Sequence, residues 1–159
     1  MGQSFNWEEY GFRLHSPQGT LPNDQTCEIA ITALVSGLFK VPEGSMLVSA
    51  VYAVSVAKPV LKPLVIEVQH CVDLRTTGQT GCLKFVRAPL KAPYQFSVVE
   101  GGAFSVGSRY GSITRDHFSL MGIVAEMSNG DTNDSENGEG GENGSGPSPS
   151  DTESMTLYC

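Results

Sequence analysis

CEIAITALV, residues 27–35, fits two backbone geometries. Wound as a helix, it would gather Ala30, Ala33 and Leu34 on one face. Drawn out as a strand, it lines Cys27, Ile29, Ile31 and Ala33 along one side at a period of two. Ile29, Ile31, Thr32 and Val35 are β-branched. Such side chains lose rotamer freedom against a helical turn and pack well on a pleated surface, so the segment is read as a strand.

Its neighbours follow the same rhythm. YGFRLHSPQG (10–19) sets Phe12 and Leu14 on one side, Arg13 and His15 on the other, and closes with the turn residues Ser16-Pro17-Gln18-Gly19. LVSAVYAVSV (47–56) is rich in Val and Tyr, and Pro59 and Pro63 bracket its exit. LVIEVQHC (64–71) puts Leu64, Ile66, Val68 and His70 on one face, and CLKFVRA (82–88) alternates again. YQFSVVEGGAFSVGS (94–108) reads as a hairpin with Glu100-Gly101-Gly102 at its tip. GSITRDHFSLMGIVAE (111–126) reads as the last strand. Seven or eight short strands and no convincing helix predict an all-β fold, an antiparallel β-sandwich.

Charge divides the chain at Glu126. Residues 1–126 hold all ten Lys and Arg and ten of the seventeen Asp and Glu, a net charge of zero; residues 127–159 hold the other seven acids and no base, which accounts for the overall −7. A domain with no basic excess is a poor match for a nucleic-acid backbone, so no nucleic acid is expected as partner. MSNGDTNDSENGEGGENGSGPSPSDTES (127–154) has almost no apolar residue to offset the entropy of ordering. The expected organisation is a lead-in over 1–9, a β-sandwich domain over 10–126 and a disordered acidic Gly/Ser/Asn-rich tail over 127–159. Ser148-Pro149 and the acidic surroundings of Ser150 admit phosphorylation, against the plainer reading of a solubilising spacer.

MGQSFNWEEY, at the N-terminus, carries neither a basic segment nor an apolar run, and Asn6 stands where a myristoylation motif needs Ser or Thr. No apolar stretch approaches the ~20 residues of a membrane span, so a cytoplasmic protein with no transmembrane segment is expected. Cys27, Cys71 and Cys82 lie in apolar, strand-like sequence without Cys-x-x-Cys spacing. They are read as buried free thiols, with no metal and no cofactor. A metal site through His70, Cys71 and Cys27 is the competing reading.

Two segments carry a family resemblance. One is YGFRLHSPQGTLP (Tyr10–Pro22), an apolar strand followed by a Pro-x-Gly-x-Leu-Pro turn; the other is LKPLVIEVQHC (Leu61–Cys71), a proline ahead of the strand that follows it. Together they resemble the ZU-5 domain of zonula occludens proteins, Unc-5 netrin receptors and ankyrins, over roughly Tyr10 to Glu126. The resemblance implies a β-sandwich used for protein–protein contacts inside the cell, a scaffold or signalling module whose partner is another protein. Relatives often carry a second β-domain and a death domain, where this chain has its acidic tail. A sheet edge left open by that difference would favour edge-strand self-association.

Some relatives also cut themselves between Phe and Ser of a His-Phe-Ser sequence near this end of the domain. Here the triplet is His117, Phe118 and Ser119. In a strand, residues two apart share a face, so His117 and Ser119 would point together while Phe118 anchors in the core. Ser119 Oγ could then attack the Phe118 carbonyl through a five-membered ring, giving an ester that water hydrolyses. A neutral imidazole suits both proton transfers, backbone N–H groups would hold the oxyanion, and a twisted peptide could raise the ground state by about 1–3 kcal/mol. The plainer alternative is a His, a Phe and a Ser in an uncut strand.

Overall fold

The computed structural model describes residues 2–34, 37–127 and, for the backbone, 151–158. Its first sheet contains β1 (Gln3–Trp7), β2 (Phe12–Ser16), β7 (Leu64–Gln69) and β11 (Tyr110–Arg115), in the order β1-β2-β7-β11. A second sheet runs β10-β8-β12-β6-β3-β13. Its strands are β3 (Thr26–Leu34), β6 (Val51–Val56), β8 (Leu83–Ala88), β10 (Ser97–Val99), β12 (Leu120–Glu126) and β13 (Asp151–Tyr158). β5 (Ser45–Leu47) also pairs with β12. Every pairing in these two sheets is antiparallel, as a sandwich requires.

The period-two reading holds where one face is buried and the other is not. Cys27, Ile29, Ile31 and Ala33 of β3 are buried, as are Phe12 and Leu14 of β2 and Leu64, Ile66 and Val68 of β7. These side chains meet Tyr52, Val54, Phe85, Met121 and Ile123 of the second sheet in one core between the layers. Arg13, on the other face of β2, lies 3.8 Å over the Tyr110 ring and pairs with Glu8 at 3.0 Å and Glu67 at 3.6 Å.

The second sheet is covered on its other face too. Val51, Val86, Ala88, Phe96, Leu120 and Val124 form a separate buried cluster. Its cover includes a short parallel pair, β4 (Phe39–Lys40) with β9 (Tyr94–Gln95), whose Phe39 ring lies 6.0 Å from Tyr94 and 5.7 Å from Phe96. β12 therefore runs through the middle, with Leu120 to Val124 buried without interruption. A strand buried on both faces loses the polar alternation that marks a half-buried one.

Several expectations change. Residues 1–9, read as a lead-in, supply β1, which pairs along β2 from Gln3↔Ser16 to Trp7↔Phe12. LVSAVYAVSV is broken at Ser49, which bridges to His70 while its Oγ accepts the Ile123 N–H at 2.8 Å. β5 and β6 both pair with β12, in registers offset by two residues, so the chain bulges here within the second sheet. The expected hairpin at Glu100–Gly102 does not form. β10 pairs with β8, and after the turn at Gly101 the chain crosses to the other sheet, where Ala103 bridges Ser112. CVDLRTTGQTG (71–81) contains one helical turn, α1 (Thr77–Thr80). No helix among the described residues is long and apolar enough to cross a membrane.

The disorder expected over 127–159 lies, for 128–150, outside the described residues. Beyond them the backbone of β13 pairs with β3 from Asp151↔Ala33 to Tyr158↔Thr26. The segment MTLY supplies β-forming residues after the polar run, and β3 offers it a full-length edge.

Candidate functional site

GSITRDHFSLMGIVAE is two strands, and the His-Phe-Ser triplet is the bend between them. β11 ends at Arg115 in the first sheet and β12 begins at Leu120 in the second. The strand alternation expected to align His117 with Ser119 is therefore absent. His117 is 83% exposed, and its Nδ1 lies 2.7 Å from Asp116 Oδ1. Ser119 Oγ donates instead to the Leu120 carbonyl, at 3.3 Å. The expected anchoring of Phe118 does hold, since it is half-buried and packs against the main core. The Val54 N–H donates to the Ser119 carbonyl at 3.2 Å, which ties the bend to β6.

The neighbouring carboxylate orients the imidazole. With Asp116 accepting from Nδ1–H, the lone pair of the neutral ring sits on Nε2, the tautomer a proton acceptor needs. The same hydrogen bond holds the Asp116 carboxyl below its ordinary range, so it is ionised at neutral pH. Both groups face water, and the pair contributes little to stability.

Beside the bend lies a groove of about 490 Å³. Val56, Pro59, Val60, Leu90 and Phe118 give it an apolar lining, Lys58 and Asp116 a charged one, and the His117 imidazole borders it. Leu90 is 55% exposed, and Leu61, next along the chain from Val60, is 67% exposed. Sequence reading found the triplet but not the groove. Leu90 sits in a turn segment and Val60 between two prolines, and only the sandwich brings them to the same end.

The residues weighed as metal ligands do not come together. Among the described residues no group of three His, Cys, Asp or Glu is placed to hold a metal ion. Cys27 is buried on β3 as expected of a core thiol, whereas Cys71 and Cys82 are exposed, contrary to the reading of all three as buried. Cys71 follows His70, the bridge residue just past the end of β7, and Cys82 precedes β8 at the end of the helical turn, so neither occupies the core face of a strand.

His70 is buried, at 2% exposure. The Val72 N–H donates to its Nδ1 at 3.3 Å, which places the proton on Nε2, and Nε2 has no partner among the described residues. Burial pushes its pKa below 6.5, and the nearby Arg109 charge acts in the same direction. The native state then binds fewer protons than the unfolded chain just below pH 6.5, so this stability is complete above the unfolded value and falls as pH falls. Urea midpoints measured from about pH 7.5 down to about pH 5.5 should decline, and His70→Leu should flatten that part of the profile.

No protein-family model matches the chain, and no curated protein matches it in sequence.

Proposed function

We propose that the chain is a cytoplasmic protein–protein interaction module of ZU-5 type, with the groove beside the β11–β12 bend as its contact surface. The observation that carries this reading is the exposed Leu90 beside the apolar lining of Val56, Pro59, Val60 and Phe118. A partially exposed apolar pocket with a charged margin has the composition of an interface centre and its rim. The electrically balanced domain and the two-segment ZU-5 resemblance support the same class. In capture of cellular partners by the full chain, Leu90→Asp should reduce recovery at least about fivefold, the size of a modest hot-spot loss. Met46→Asp, on β5 and equally exposed, should not. Equal recovery by wild type and Leu90→Asp would remove the groove from consideration.

A second reading, self-cleavage between Phe118 and Ser119, is favoured by the Asp116–His117 pair. His117 Nε2 takes the Ser119 hydroxyl proton, directly or through water, and Oγ bonds to the Phe118 carbonyl carbon. The C–N bond breaks as the nitrogen of Ser119 receives a proton, leaving an ester that water hydrolyses to a Phe118 carboxylate and a free Ser119. Placement in a bend favours this chemistry in one respect: the scissile peptide lies outside both strand ladders, so twisting it sacrifices no ladder hydrogen bond. Intact mass under denaturing conditions should give two fragments meeting at Ser119, lost in Ser119→Ala and slowed in Asp116→Asn. A single full-length mass after prolonged incubation leaves the interaction module alone.

A further inference from the structure

We propose that the β3 edge is a second, separate interaction surface that accepts an extended peptide, with the chain's own C-terminal strand as its resident occupant. Without β13, β3 would border the second sheet and present every second N–H and C=O of Thr26–Ala33 along an open edge. Such an edge is a template for another strand.

The register defines what fits. Asp151, Glu153, Met155 and Leu157 pair with Ala33, Ile31, Ile29 and Cys27, the positions on the buried face of β3. Thr152, Ser154, Thr156 and Tyr158 occupy the alternate positions, paired with Thr32, Ala30, Glu28 and Thr26. The matching partner is therefore an extended, acidic segment with apolar residues at alternate places toward its C-terminal end and hydroxyl-bearing residues between them. A one-residue slip would exchange the two sets, so the edge discriminates by register as well as composition.

Tethering decides which occupant prevails. Twenty-three residues, 128–150, join Met127 to Asp151. At about 3.3–3.6 Å per extended residue, that connection reaches across a domain of this size. A tethered strand competes at an effective concentration on the order of millimolar, so a free peptide of equal intrinsic affinity is excluded at micromolar concentrations. Release of β13 converts a weak acceptor into a strong one.

The probe is a fluorescent peptide, DTESMTLY, titrated against the full chain. In an edge strand successive N–H groups point alternately to the neighbouring strand and away from it, so Ser154→Pro with Met155→Pro removes at least one bond to β3 in either phase. Wild type should bind the peptide at least about tenfold more weakly than the double variant. A peptide with neighbouring residues interchanged should bind neither. Hydrogen exchange should show Thr26–Ala33 amides protected in wild type, exposed in the double variant and protected again by peptide. Equal binding to both proteins, or β3 protection unchanged by the prolines, overturns the proposal. Leu90→Asp should leave peptide binding intact, so failure of the groove and failure of this edge are separately visible.

Discussion

Replacing Phe12 with alanine should destabilise the protein by about 3–5 kcal/mol in urea unfolding, the cost of removing a fully buried aromatic ring from a core that only partly relaxes. Phe12 is completely buried on β2, and its ring centre lies 5.0 Å from that of Tyr52 on β6. That contact crosses from one sheet to the other. The Tyr52 hydroxyl also donates to the Tyr10 carbonyl, two residues before Phe12, so the aromatic pair and the hydrogen bond hold the same strand start against the opposite layer. Burial pushes the Tyr52 phenol up to about 12, which keeps it a donor throughout the ordinary pH range. Against a typical total of about 5–15 kcal/mol, the Phe12→Ala loss is a large part of the folding free energy. Phe12→Leu retains most of the volume and should cost less than about 1.5 kcal/mol. A loss below about 1 kcal/mol for Phe12→Ala would contradict the packing of the two sheets at this point.

Gly11→Ala should cost about 2–4 kcal/mol, from two separate causes. Gly11 has φ +71, in the left-handed region, and a Cβ there would lie 2.8 Å from Gln69 Cβ and 3.3 Å from the Tyr52 hydroxyl. Its carbonyl accepts the Gln69 N–H at 2.8 Å, so the backbone cannot retreat from β7 without losing that bond. Gly101 is the control. Its φ is +93 but a Cβ would meet nothing within 4 Å, so Gly101→Ala should cost only about 1–2 kcal/mol. The difference between the two alanine variants isolates the steric contact from the backbone penalty. Equal losses would mean that β7 yields at Gln69.

Strand character was readable wherever one face meets the core and the other meets water, as at Phe12–Ser16, Thr26–Leu34 and Leu64–Gln69. It failed at Arg115–Leu120, where two strands of different sheets are separated by only four residues and a continuous alternation ran through the bend. The same limit hid the bulge at Ser49. A local pattern reports which side of a residue is buried, not which strand lies beside it. For the candidate site, the chemical types His117, Phe118 and Ser119 were visible as a triplet, and the partial burial of Phe118 fitted its apolar character. The relation of the hydroxyl to the imidazole was not readable, because it depends on whether the backbone there is extended or bent.

Taken alone, the sequence determined that the chain is β-rich, that its charge is balanced to Glu126 and acidic beyond it, and which face of β2, β3 and β7 turns inward. Those properties depend on composition and on the two-residue period of a pleated strand, both local. Tertiary structure decided that Gln3–Trp7 joins the first sheet, that β12 is covered on both sides, that Leu90 and Phe118 share a groove, and that Asp151–Tyr158 lies along β3. Each of these depends on pairing between segments distant in the chain, where register and closure are fixed by which edges remain unfilled once the rest of the sandwich has packed.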